Sequence, residues 1–235
     1  MNLVLLTPDD FISEDRVRIA GRRLRHIQEV HRAAAGDELN VGLVDGLAGK
    51  GRILTCTPEA IEMAVSLKFQ PPPPLPVTLL LALPRPKMLK RVLFSVASLG
   101  VKSIFLINSC RVEKSFWQSP LLNKEQLNGY LMLGLEQAKD TVLPGIHLRP
   151  FFKPFCEDEL PSMVKGTLAL AAHPAATEPC PHEVQGHVTL AIGPEGGFIQ
   201  YEIEKLASAG FTPVSMGQRI LRVETAVPAL LARLF

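Results

Sequence analysis

Two rhythms of apolar and polar residues divide the chain. From residue 77 onward, the strand-like runs VTLLLAL, SIFLIN, IHLR, TLALAA, VTLAIG and TPVSMG alternate with segments at about 88–99, 123–139, 155–163 and 200–209 patterned as helices. That alternation predicts an α/β domain with a parallel sheet and helices on its faces. In the first helical segment Leu89, Val92, Val96 and Leu99 fall on one face and Gly100 follows, which suits a left-handed C-terminal cap. Gly210 stands in the same relation to Ile203 and Leu206. Before residue 70 the rhythm is shorter. DELNVGLVDG, GKGRILTCT and IEMAVSLKF are apolar segments broken by Gly and Asp, which predicts a small β-rich domain. Within it, Leu24, Ile27, Val30 and Ala34 recur at helical spacing and predict one basic helix with a buried side.

QPPPPLP, residues 70–76, separates the two rhythms. Four successive prolines favour an extended polyproline conformation and continue neither a helix nor a central strand. The expected boundaries are therefore a first domain over 1–70, a linker over 71–76 and a second domain over 77–235.

Composition adds exclusions. A chain of 235 residues accommodates one large domain or two smaller ones. Apolar residues make up 47% and charged residues 20%, and no apolar run reaches the ~18 residues of a membrane span. The opening MNLVLLTPDDF has no basic segment ahead of its apolar stretch, and Asp9 and Asp10 follow at once, so a cytoplasmic protein is expected. Cys56, Cys110, Cys156 and Cys180 are widely spaced without a C-x-x-C pair, which predicts reduced thiols. Net charge is only +2, yet residues 16–32 hold Arg16, Arg18, Arg22, Arg23, Arg25 and Arg32 against Glu29 alone. This is either a polyanion-binding face or a solvated helix surface.

Ligands of open parallel sheets sit beyond the carboxyl ends of the strands, so the loops after strands carry the candidate chemistry. GPEGG, residues 193–197, is such a loop; its glycines bring backbone close to a ligand, or else it is an empty strand-to-helix turn. Neither G-x-G-x-x-G after a strand nor G-x-x-x-x-G-K-[ST] is present, which removes the usual support for NAD or ATP. His182 and His187 are five apart with a glycine between, a poor zinc spacing, and no metal is expected. No G-x-S-x-G elbow supports a hydrolase. The other dense stretch, MGQRILRVETAVPALL at 216–231, crowds Gly217, Arg219, Arg222, Glu224 and Thr225 into a turn before a terminal helix. Glu224 and Thr225 also suit the start of that helix, where Pro228 is tolerated.

IGPEGG followed by a helix and then MGQRILRVETA resembles the RsmE-type ribosomal RNA uridine methyltransferases of the SPOUT superfamily. HIQEVHRAAAGDELNV, SLGVKSIFLINSCRVEK and LEQAKDTVLPGI extend the resemblance along the chain. It implies a PUA-like β-barrel for RNA binding, then a SPOUT domain ending in a trefoil knot, and a homodimer in which a second subunit completes the site. S-adenosylmethionine is the implied cofactor, held by Leu170, Ala171 and His173, by Ile192, Gly193, Pro194, Glu195, Gly196 and Gly197, and by Met216, Gly217, Arg219, Ile220, Leu221 and Arg222.

The implied reaction is methylation of N3 of a uridine in small-subunit (16S) ribosomal RNA, with the rRNA or the small ribosomal subunit as partner. Arg222 is the candidate for stabilising charge on the uracil oxygens, and Glu224 is a candidate proton acceptor or merely a helix-start carboxylate. Arg22, Arg23, Arg25, Arg32, Arg111 and Lys114 are the candidate phosphate contacts. Departures from the family pattern are Ser98 for a glutamate, Asp140 for an arginine, Val223 for a threonine and Ile199 for a capping serine. Asp140 and Val223 leave open methylation at another RNA position, and a non-catalytic RNA-binding protein of the same fold is the reading from a different class.

Overall fold

The computed structural model describes residues 2–235 and divides into two compact units. One extends to Pro73 and also takes Met132–Leu143; the other comprises Pro74–Leu131 and Pro144–Phe235.

Six strands build the first unit: β1 (Val4–Leu6), β2 (Phe11–Ser13), β3 (Arg16–Ile19), β4 (Glu38–Leu43), β5 (Ala48–Cys56) and β6 (Ile61–Phe69). They form one sheet in the order β1-β4-β5-β6-β3-β2, antiparallel except where β1 meets β4. Val17, Ile19, Val41, Ile53, Ile61 and Met63 point into its core. Helix α1 (Gly21–His26) runs on through a wider turn, Ile27–His31, and adds Leu24 and Ile27 to that core.

The basic segment therefore differs from the single helix expected. RVRI alternates with period two, so it pairs with β6 as a strand with Val17 and Ile19 inward and Arg16 and Arg18 outward. Helix begins only at Gly21, and Arg32 ends it in the left-handed region (φ 50°). Val30, expected on the buried side, is 62% exposed because the wider turn moves it off the buried stripe, and Ala34 is exposed because it lies beyond the end of the helix.

The second unit holds the parallel sheet. Its strands are β7 (Val77–Ala82), β8 (Ser103–Ile107), β9 (Gly145–Arg149), β10 (Leu168–Ala172), β11 (Val188–Ile192) and β12 (Thr212–Val214), in the order β12-β10-β11-β7-β8-β9. All five pairings are parallel. β7 and β11 lie at the centre, and their near-continuous Val, Leu, Ile and Ala reflect burial on both faces. Helices α2 (Pro86–Ser98), α3 (Lys114–Trp117), α4 (Lys124–Ala138), α5 (Phe152–Pro154), α6 (Leu160–Met163), α7 (Gln200–Ser208) and α8 (Val223–Leu234) connect or follow the strands, α4 belonging to the first unit from Met132 onward.

α2 starts at Pro86, a favourable first position, and buries Leu89, Val92, Leu93 and Val96. Gly100 takes φ 84° and the Val101 N–H returns to the Val96 carbonyl at 3.0 Å, closing the expected cap. Leu99 is 39% exposed rather than buried, since it sits in the cap itself. α8 packs on α2. The four cysteines are free thiols. Among the described residues no helix is long and apolar enough to cross a membrane.

Candidate active site

β10, β11 and β12 end side by side, and the loops after them converge. Their meeting is fixed by backbone bonds: the His173 N–H donates to the Val214 carbonyl (2.9 Å), and the Cys180 N–H donates to the Ser215 carbonyl (2.8 Å). Between the loops lies a cavity of about 330 Å³, in the ~300–1,000 Å³ range of small-molecule pockets. Ile192, Phe198, Val214, Val223 and Leu230, all nearly buried, give it an apolar wall. The 193–197 and 215–217 loops, running from buried Gly193 and Pro194 to exposed Glu195, Gly196 and Gly217, line it as well.

His173, Ile192, Gly193, Pro194, Glu195, Gly196, Gly197, Met216, Gly217, Arg219, Ile220 and Leu221 line this cavity. Leu170 and Ala171 do not: they are buried in β10, ahead of its carboxyl end, and Ala172 takes their place on the wall. Arg222 and Glu224 are not on the lining either. Arg222 is exposed at the N-cap of α8, between Leu221 and Val223, which are on it; Glu224 is half-buried in the first turn. Val223, Ala226 and Leu230, not among the expected residues, also line it, and their spacing of three and four marks one face of a helix.

Close approach explains one of the glycines and backbone conformation another. A Cβ on Gly193 would stand 2.9 Å from the Phe198 nitrogen, so the loop folds back on itself only without one. Gly197 has φ 72°, and no described atom lies within 4 Å of where its Cβ would project. The Gly197 N–H donates to the Pro194 carbonyl at 2.7 Å, which makes the loop a tight turn.

Three side chains brace that loop. Arg111, nominated for phosphate, lines the cavity and donates a hydrogen bond to the Gly196 carbonyl. Glu195 accepts from the Arg85 N–H at 3.1 Å, which ties the loop to the start of α2. Glu202, only 2% exposed, accepts from the Ile199 N–H (2.9 Å) with one oxygen and from the Cys110 N–H (2.6 Å) with the other. Ile199 offers no capping oxygen, but the reciprocal half of a capping box survives through Glu202.

In the first unit the arginines divide. Arg23 donates to both Asp10 oxygens at 2.7 Å and to the Leu5 carbonyl at 2.7 Å, so its guanidinium is occupied by its own unit and is withdrawn as a phosphate contact. Burial alone would raise the Asp10 carboxyl pKa, but hydrogen bonds from Arg23 and Thr7 outweigh it and hold the group below the ordinary value. Arg22 forks onto Glu136 (3.0 and 2.9 Å), with half of its side chain still exposed. Arg25 and Arg32 are exposed, as is Lys114 in the second unit. Asp140 is buried and accepts from the Val142 N–H at 3.0 Å, a turn-forming role that does not present its charge at the surface.

A parallel α/β domain with a glycine-lined cavity at its strand ends is the setting in which residues 71–235 match the RNA methyltransferase domain family. Across 99% of its length the chain is 32% identical to the ribosomal RNA small subunit methyltransferase E of Treponema pallidum, and it covers 90% of that protein. The protein of the same name from Synechocystis is 27% identical over 98% of this chain and 76% of its own. The chain belongs to the ribosomal RNA small subunit methyltransferase E family. The crystal structure of the Neisseria gonorrhoeae member, bound to S-adenosyl methionine, shares the fold: TM-score 0.74 at 22% identity, covering 99% of this chain and 95% of that one.

Proposed function

We propose that this protein methylates N3 of a uridine in small-subunit ribosomal RNA, using S-adenosylmethionine. The observation that carries the reading is the cavity where three strand-end loops meet, in a chain of this family. The residues present suit the cofactor. Gly197 and Gly217 both line the cavity at positive φ, and at neither does any described atom occupy the space a Cβ would fill. The apolar wall of Ile192, Val214 and Leu230 suits a purine, and the loop backbone offers N–H and carbonyl groups to an amino acid moiety.

When bound, S-adenosylmethionine supplies a methyl group on a sulfonium, already a good leaving group. The work left to the chain is to align the acceptor and to free the lone pair on N3. Arg222 is permanently charged and exposed between lining residues Leu221 and Val223, and it is the proposed group for stabilising negative charge spreading onto the uracil oxygens. Glu224, two residues on, is the proposed proton acceptor. N3 lies on the pairing edge, so the uridine is unpaired or flipped when it reacts.

The N-terminal unit is read as a PUA-like barrel that holds RNA through Arg25, Arg32 and the exposed part of Arg22. A trefoil knot in the second unit is supported by the segment between β10 and β11, which bonds both to Ser215 after β12 and, through the Val184 N–H (2.7 Å), to the Leu234 carbonyl. A homodimer is supported by Ile220, an apolar cavity residue that is 80% exposed.

The test is incubation of the protein with tritium-labelled S-adenosylmethionine and small subunits from cells lacking the activity, followed by nucleoside analysis. Label in N3-methyluridine is expected, and label in another nucleoside overturns the assignment of position. Arg222→Ala is expected to lower the rate by about 10²–10³ with cofactor affinity unchanged.

A further inference from the structure

Between Glu62 and Glu113 the chain contains no Asp or Glu but seven Lys and Arg residues. Four of these, Arg85, Lys87, Lys90 and Arg91, stand at the N-cap and in the first two turns of α2. All four are exposed, and none makes an ion pair with a described residue. Since Leu89, Val92, Leu93 and Val96 face the core, Lys87, Lys90 and Arg91 share the outer face at spacings of three and four. Lys90 also lies over the ring of Tyr130, 5.6 Å from its centroid.

Local stability does not account for this ridge. Cations in the first turns of a helix oppose the positive end of its dipole, where acidic residues are the favoured choice. Position does account for it. β7 pairs with β11 so that Leu81 is level with Ile192, and the chain leaving β7 reaches Arg85 within four residues. There the Arg85 N–H is bonded to Glu195 of the cavity loop. That carboxylate is engaged by the Arg85 backbone rather than by a cationic side chain of the ridge. A further cation, Arg111, holds Gly196 of the same loop. The ridge thus starts at the cavity rim and leads away from it.

The geometry points to Arg85, Lys87, Lys90 and Arg91 as a phosphate track for the single-stranded RNA flanking the target base. This rests on the reading of the cavity as an RNA methylation site. From Lys87 to Arg91 the helix rises about 6 Å, so the cluster is compact. It holds a short stretch of backbone and carries no base code, which makes it a positioning element. An unpaired target requires such a hold, because its neighbours have lost the rigidity of a duplex.

The test uses the full chain with Lys87, Lys90 and Arg91 changed together to alanine, and separately with both lysines changed to arginine. Binding of a single-stranded RNA oligonucleotide is titrated from low to moderate salt, alongside cofactor affinity and mass by ultracentrifugation. Loss of three phosphate contacts lowers the slope of log K against log salt by about 2, and weakens binding about tenfold or more. Cofactor affinity stays at the wild-type value, which also reports an intact fold, and the arginine variant retains the slope. An unchanged slope and affinity overturn the proposal. So does a change of mass without a change of slope, which makes the ridge a contact between two copies. A wild-type protein that binds RNA with the full slope but transfers no methyl group sinks the functional reading and leaves the track supported.

Discussion

Glu202 joins two loops that the sequence separates by about ninety residues, and its removal has a calculable effect. The carboxylate is 2% exposed and accepts one backbone N–H on each side, from Ile199 and from Cys110. Glu202→Ala takes away both acceptors and leaves two amides without them, one on half-buried Ile199 and one on exposed Cys110. A buried unsatisfied donor costs about 1–3 kcal/mol and one that water can reach costs less, so the variant is expected to lose about 1–3 kcal/mol. Glu202→Gln keeps one acceptor oxygen and turns an NH₂ toward the other donor, so its loss falls below that of alanine. Urea denaturation followed by circular dichroism measures both, with the midpoint shifting at constant slope if the fold is otherwise unchanged. Cofactor affinity should fall in the same order, since Ile199 stands two residues beyond Gly197 in the cavity loop. An alanine variant within about 1 kcal/mol of wild type, or a glutamine variant less stable than alanine, refutes the argument.

Acid stability offers another check. Asp10 has a carboxyl pKa held below its unfolded value, so its contribution to stability is complete above about pH 3.9 and is lost as pH falls through the folded pKa. Asp10→Asn should therefore flatten the acid limb of the stability curve measured from pH 5 to pH 2, and an unchanged limb counts against the Arg23–Asp10 pair. The thiols should separate as well. Burial, with help from the nearby Glu202 carboxylate, pushes the Cys156 thiol up to about 12, and burial raises Cys180. Iodoacetamide at pH 8 is then expected to label exposed Cys110 and to spare those two in the native protein, as read by peptide mass spectrometry.

Local order was readable where pattern and punctuation agreed. Strand-helix alternation, Pro86 opening α2, and Gly100 and Gly210 closing helices are all statements about near neighbours in sequence. The RVRI strand was equally open to a period-two reading, but the density of arginine drew it into the helix that follows. What pattern does not carry is pairing at long range. The roles of Glu195 and Glu202 depend on Arg85 and Cys110, 110 and 92 residues away. Arg23 read as free charge because nothing in its own segment names Asp10, and Arg22 because Glu136 lies 114 residues on. For the cavity, glycine loops were visible as interruptions of apolar runs, whereas Val223, Ala226 and Leu230 look like any helix core until the third loop is placed beside them. Leu170 and Ala171 fell short because the resemblance identifies a strand-end loop but not the residue at which its strand stops.

The membership of Met132–Leu143 in the first unit bears on how the protein is made. Glu136 supplies the carbonyl that receives the N–H groups of Asn2 and Leu3, each at 3.0 Å, and the carboxylate that Arg22 grips; Thr141 donates to the Gly46 carbonyl at 2.5 Å. A nascent chain that has just emerged as far as Pro73 lacks all of these. Another 70 residues separate Pro73 from Leu143, and at about 5–20 residues per second their synthesis takes roughly 4–14 s. Vectorial synthesis therefore cannot finish the N-terminal unit first. It waits, partly assembled, until translation has passed through the Pro74–Leu131 stretch of the unit that follows, and a fragment ending at Pro73 would be released in that unfinished state.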